Sequence, residues 1–313
     1  MIYLIGTGQM AVDYTKVLLA QKRNFKVIGR GSSSANNFEN QTGIKPITGG
    51  IENYIENNEI DRISEFIIAT GTEVLMETLK RILVTGARKV LVEKPAAISI
   101  DELLQNEDFL KPFFDKVFIA YNRRFYASVI ETLKLIEADG GLRTMHFEFT
   151  EWAHKIEPLQ KAAGVKENWF FVNSTHVIDL AFFIAGMPID WKCYSNSGQL
   201  KWHEKSNFAG AGITNKCVLF SYISNWESAG RWSLELFTDK RRIYLKPFED
   251  LNIQNRGGIE IGKYDIDDSL DIQFKPGLFL QVEDFLSPNP TMNLCTLNTH
   301  IQKAKLIYSS MLK

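Results

Sequence analysis

An acid, a lysine and a proline close an apolar run at Lys89-Val90-Leu91-Val92-Glu93-Lys94-Pro95. A lysine held beside a cofactor at the end of such a run could move a proton at a hydroxyl group. His176 is the second candidate, near the start of the apolar stretch Ser174-Thr175-His176-Val177-Ile178-Asp179. On a helix, Asp179 falls one turn beyond it on the same face. Imidazole exchanges protons near neutral pH, and an adjacent carboxylate could orient it. The third is Gly6-Thr7-Gly8-Gln9-Met10-Ala11, a dinucleotide fingerprint ending in alanine. Its glycines allow a tight turn and let backbone approach a pyrophosphate at a helix N-terminus.

These groups need particular elements to hold them. Tyr3-Leu4-Ile5 reads as a buried strand feeding the glycine turn, and Met10, Tyr14, Val17 and Leu18 mark the helix after it. Phe25–Gly29 is a second strand, ending at Arg30-Gly31-Ser32-Ser33-Ser34. A site for NAD usually places Asp or Glu here, on the ribose 2′-hydroxyl. Arginine and serines without a carboxylate suit a 2′-phosphate, so NADP is expected ahead of NAD, with Arg30 and Ser32 as contacts. Glu65–Thr70 is a third strand, and a helix through Val74, Leu75, Thr78, Leu79 and Ile82 ends at Gly86. The run to Pro95 is the fourth, because proline cannot continue a ladder. It delivers Glu93 and Lys94 to the carboxyl edge of the sheet, where open α/β sheets bind ligands. A capping box at Ser99-Ile100-Asp101-Glu102 opens a further helix, and Lys116–Tyr121 is the last strand. Alternating strands and helices predict a doubly wound parallel sheet of the Rossmann type over residues 1–121.

Residues 122–313 read differently. Met145, Phe147 and Phe149 alternate with polar neighbours, as in a strand with one buried face. Similar segments at Trp191–Ser195, Cys217–Ile223, Trp232–Phe237 and Arg242–Leu245 predict an α+β domain with a mostly antiparallel, open sheet. The segment from Trp152 to Phe170 reads as a polar loop, and from Pro276 the chain turns helical again.

The bulk numbers exclude other classes. At 313 residues with 45% hydrophobic and 23% charged residues, the chain is an ordinary globular protein large enough for two cores. A net charge of -1 offers nothing to nucleic acid, and no apolar run reaches membrane-spanning length. Cys193, Cys217 and Cys295 form neither a disulfide framework nor a metal site and suit a reducing compartment. The first strand follows Met1 without a leader, so a cytoplasmic protein is expected.

With the elements in order, the chain resembles the Gfo/Idh/MocA oxidoreductases, NAD(P)-dependent enzymes acting on sugars, cyclitols and sugar nucleotides. The resemblance rests on Gly6-Thr7-Gly8-Gln9-Met10-Ala11, Glu93-Lys94-Pro95, Tyr121-Asn122-Arg123-Arg124-Phe125 and the helix with His176. It implies a catalytic Lys94 between nicotinamide and substrate, and a proton carrier in His176 beside Asp179. It also implies cofactor contacts from Gly6, Gly8, Gln9, Met10, Thr70, Glu93 and Lys94, and substrate contacts from Asn122, Arg123, Asn173 and His176. C-terminal helices bracing the first domain, and a homodimer or homotetramer formed through the second sheet, follow from the same resemblance. Many of these enzymes carry an Asp one turn before the histidine; Val172 stands there in this chain. That departure leaves room for a rival, a non-catalytic NADP-binding regulator or scaffold. Further rivals would reduce a linear pigment, or open a glycosidic bond through transient oxidation.

Overall fold

The computed structural model describes residues 1–291 and 293–313. The chain forms two units, one of residues 1–121 with 273–302, the other of residues 122–272 with 303–313.

In the first unit β1 (Ile2–Ile5), β2 (Phe25–Ile28), β3 (Glu65–Ile68), β4 (Lys89–Val92) and β5 (Val117–Ile119) lie parallel, in the order β5-β4-β3-β1-β2. Leu4, Ile67, Val90, Leu91 and Val92 are wholly buried, as strands covered on both faces require. Each contributes about 1.5–3 kcal/mol by leaving water. The register aligns Ile5 with Ile28 and Ile68, and Ile68 with Val92. The glycine turn, the Arg30 turn, Thr70 and the Glu93-Lys94 pair therefore leave the sheet along one carboxyl edge. A sixth strand, Cys295–Thr296, pairs antiparallel with β5. The helix Leu278–Leu286 packs on the helix Gln9–Ala20 that follows the glycine turn. The serines after Arg30 open the helix Ser32–Thr42. Serine is a weak helix former, and Gly31 before the helix and left-handed Gly43 after it set its limits.

The second unit contains an eight-stranded sheet. Its strands are β6 (Thr144–Glu148), β7 (Pro188–Asn196), β8 (Asn207–Thr214), β9 (Leu219–Asn225), β10 (Ser233–Phe237), β11 (Arg241–Leu245), β12 (Asn252–Asn255) and β13 (Gly262–Lys263). The order is β13-β12-β11-β10-β6-β9-β8-β7. All pairings are antiparallel except β6 with β9. Strand β8 escaped the sequence reading because Asn207-Phe208-Ala209-Gly210-Ala211-Gly212 carries almost no β-branched or aromatic character. Gly210 and Gly212 are needed there: a Cβ would lie 2.5 Å from the Tyr222 ring and 2.3 Å from the Trp191 Cβ, respectively. The inner face meets the buried helix Thr175–Ala185, with Phe182 against Phe147 and Phe220. Trp226 and Trp232, aromatics that an interaction surface would have explained, are buried.

Candidate functional site

In the first unit, the turn after β1 depends on two glycines for different reasons. Gly6 has φ +120°, and a Cβ on it would sit 2.4 Å from the Ala69 carbonyl oxygen. Gly8 meets nothing within 4 Å of a Cβ position. It stands at the N-terminus of helix Gln9–Ala20 with no side-chain cap, so the first helical N–H groups face open space. That is the cradle a pyrophosphate requires. Met10 is half-buried at its start, and Gln9 donates outward to Asp13 at 3.1 Å. Beyond β3, the Thr70 hydroxyl is buried without a hydrogen-bond partner. An open glycine, an uncapped helix start and an orphaned hydroxyl along one sheet edge fit a dinucleotide.

The loop after β2 differs from expectation in one respect. Its own sequence has no carboxylate, but Glu52, from the helix Gly50–Asn57, comes 3.2 Å from Arg30 Nη2 and 3.4 Å from Arg81 Nε. Sequence separation hid this contact. Arg81 also meets Glu77 at 2.7 Å, so the two guanidiniums here face two carboxylates. Ser32 opens its helix without a capping bond, and Thr7 donates to Ser34 at 3.0 Å.

Glu93 and Lys94 follow β4 into a turn with a cis Lys94-Pro95 bond and Ala96 at φ +68°. The Glu93 carboxyl accepts from the buried Tyr14 hydroxyl at 2.8 Å. Burial pushes its pKa up, against the pull of Tyr14 and Lys94. His300 Nε2 donates to the Pro95 carbonyl at 3.0 Å, and the Tyr121 hydroxyl lies 3.4 Å from its Nδ1. His300 thus braces the turn bearing Lys94, a role no motif announced.

In the second unit, residues 122–125 form a tight turn, with Asn122 buried and Arg123 half-buried. His176 is buried and opens the helix Thr175–Ala185 directly after a π-helical turn, Phe170–Ser174. Such turns recur at functional sites. The Asp179 carboxylate, expected to orient His176, is committed elsewhere. It accepts from Arg124 Nε at 2.7 Å and Nη2 at 2.6 Å, and from Lys303 Nζ at 2.7 Å. Although burial raises its pKa, the two cations win and hold it at about 2.

Glu151 is the carboxylate the sequence reading passed over. It is buried just beyond β6, between the predicted strand and the loop predicted from Trp152, and it meets the turn ahead of His176. Asn173 Nδ2 donates to its oxygens at 3.0 and 3.1 Å, and Ser174 Oγ donates at 2.8 Å. Burial pushes its pKa up while Ser174, Arg231 and Asn173 oppose. Position 172 is a buried valine, and Glu151 brings an acidic group to the same turn from another element. Its only sequence signal was an acid after an alternating strand.

Neither the family profiles nor the curated proteins compared with the chain yield a match. Solved structures do. An oxidoreductase of Desulfitobacterium hafniense described as NADPH-dependent superposes with a TM-score of 0.78 at 13% identity, covering 99% of this chain and 94% of that one. Levoglucosan dehydrogenase in complex with NADH and L-sorbose gives 0.76 at 16% identity, covering 99% and 96%. UDP-N-acetylglucosamine 3-dehydrogenase of Acidithiobacillus ferrooxidans gives 0.71 at 12% identity, again covering 99% and 96%. These are oxidoreductases of the Gfo/Idh/MocA type, and the chain has their fold.

Proposed function

We propose that the protein is an NADP-dependent oxidoreductase transferring hydride between the nicotinamide and a hydroxyl-bearing carbon of a sugar, cyclitol or sugar nucleotide. The observation that carries this reading is the edge of the first sheet: Gly8 open, its helix uncapped, and the Thr70 hydroxyl orphaned. The bound dinucleotide would supply the hydride acceptor or donor. In the oxidation direction, with the dinucleotide as hydride acceptor, His176 would take the hydroxyl proton of the carbon being oxidised to a carbonyl. Lys94 polarises the same oxygen; Lys94 carrying the proton instead is a variant of this scheme. Asn122, Arg123 and Asn173 would contact substrate, while Asp179 acts by fixing the helix of His176. The fold shared with a levoglucosan dehydrogenase and a UDP-N-acetylglucosamine 3-dehydrogenase supports the sugar class.

A fluorescence titration with NADPH and separately with NADH tests the cofactor. Micromolar NADPH binding with much weaker NADH binding is expected, from the Arg30 guanidinium and the serines that follow it after β2. Gly8→Val should weaken binding severely while leaving the thermal midpoint nearly unchanged, since nothing packs at that Cβ. Preference for NADH would overturn the NADP assignment alone. Binding of neither by the folded protein would favour the scaffold reading, for which the commitment of Asp179 to two cations already speaks.

The second sheet supports association between copies. Tyr194, Leu219 and Ile223 are exposed on β7 and β9, large apolar groups on an otherwise open surface. Light scattering should give the mass of two or four chains; a monomer would sink this part. Among the described residues no helix is long and apolar enough to cross a membrane. No group of three or more His, Cys, Asp or Glu among them could hold a metal ion.

A further inference from the structure

Within the second unit, positive charge and hydrogen-bond donors gather around Trp232 without matching acceptors. The Arg123 guanidinium lies 4.7 Å from the Trp232 ring centroid and 5.9 Å from that of Tyr126. Arg231 lies 4.6 Å from Trp232 and 4.6 Å from Trp152. Among the described residues, no carboxylate forms an ion pair with Arg123 and no oxygen accepts from it. Arg231 has one acidic neighbour, Glu151, at 3.6 Å, and that carboxylate already takes hydrogen bonds from Asn173 and Ser174. The Trp232 indole N–H is buried and also has no acceptor.

Such an arrangement is costly if nothing else joins it. A half-buried guanidinium with its donors idle loses hydration that ring contacts only partly restore. Burial disfavours the charge on Arg123, and Arg231 adds like-charge repulsion; Tyr126, Glu249 and Glu151 offset this in part. A sugar hydroxyl could accept one hydrogen bond here but would leave the repulsion in place. An oxyanion answers both needs, because carboxylate and phosphate match the guanidinium fork and carry the missing charge.

We propose that Arg123, Arg231 and the Trp232 indole N–H bind an oxyanion of the substrate, a carboxylate or a phosphate, making the substrate an acidic or phosphorylated sugar. The His176 ring centroid is 6.1 Å from that of Trp232, so the anionic group would bind close to the proposed proton carrier. The choice of a sugar rests on the oxidoreductase reading; the anion site does not.

Calorimetric titration of the whole protein with D-glucuronate, glucose 1-phosphate and D-glucose tests this, using wild type, Arg123→Gln and Arg231→Gln. Both anionic probes, or one of them, should bind at least about tenfold more tightly than glucose, and added salt should weaken them. Each variant should lose about tenfold or more toward the anionic probes, a larger loss than toward glucose. Glucuronate ahead of glucose 1-phosphate assigns a carboxylate, and the reverse order a phosphate. If Arg123→Gln fails to fold, the more exposed Arg231→Gln carries the comparison. Equal binding of charged and neutral probes, no binding of either anionic probe, or unchanged affinity in the folded variants overturns the site. NADPH binding measured alongside separates the two readings. NADPH bound without anion preference removes only the anion site, and anion preference without NADPH removes only the oxidoreductase.

Discussion

Replacing Lys94 or His176 with alanine should each lower kcat by roughly 10²- to 10⁴-fold, the range expected for losing a group that handles the proton. NADPH affinity should change little, because the proposed pyrophosphate cradle lies at Gly8 and the helix Gln9–Ala20, not at either side chain. Lys94 is well placed to be pre-organised. Its turn is held at one side by Glu93 on Tyr14 and at the other by His300 on the Pro95 carbonyl. Truncating the side chain leaves those bonds in place, so a fall in rate would not come from a collapsed turn. Steady-state turnover with the sugar found by screening, beside an NADPH titration of each variant, makes the comparison. Wild-type turnover in both variants would sink the proposed chemistry.

Asp179→Ala should destabilise the protein by about 3–5 kcal/mol, the cost of leaving buried cations without their partner. Arg124 and Lys303 are 3% and 2% exposed and both bond this one carboxylate, so water cannot replace it. Urea denaturation monitored by tryptophan fluorescence reads the change. The pH dependence has a definite sign. Asp179 is held at about 2 in the folded protein, below the value of about 3.9 for a free aspartate. Its contribution is therefore complete above pH ~4 and is lost as pH falls from there toward ~2. The alanine variant should lack that acid limb. A variant of unchanged stability would show that the two cations find other acceptors.

How much of this was legible in the sequence depends on the distance over which each residue acts. Elements with a local signal were readable: the apolar runs Leu4-Ile5 and Val90-Leu91-Val92, the glycine turn, and the capping box, where Ser99 Oγ accepts from the Glu102 N–H at 3.0 Å. The parallel sheet and its carboxyl edge followed from those. Features made by long-range pairing were hidden. Glu52 reaches Arg30 from a later helix, Glu151 reaches Asn173 and Ser174 from just beyond β6, and His300 reaches Pro95 from far along the chain. Asp179 shows the limit of spacing arguments. Its place one turn from His176 was correct for a helix, but spacing gives no account of Arg124 and Lys303 competing for the same oxygens. Strand β8 was missed for the opposite reason, since Gly210 and Gly212 are required by the Tyr222 ring and Trp191 lying over them.

The Pro95–His300 bond and the pairing of Cys295 with Ile119 also bear on the order in which the molecule can be made. A growing chain presents β1 to β5 first, but the strand that covers the open side of β5 and the imidazole that ties the Lys94 turn follow only after residues 122–272 of the second unit. Until then β5 is a bare edge of buried-type residues, Val117, Phe118 and Ile119, a surface prone to pairing with other chains. The first unit is thus completed only after residues 122–272 have been made, and a ribosome that stalls before Cys295 releases a sheet with its sticky edge uncovered.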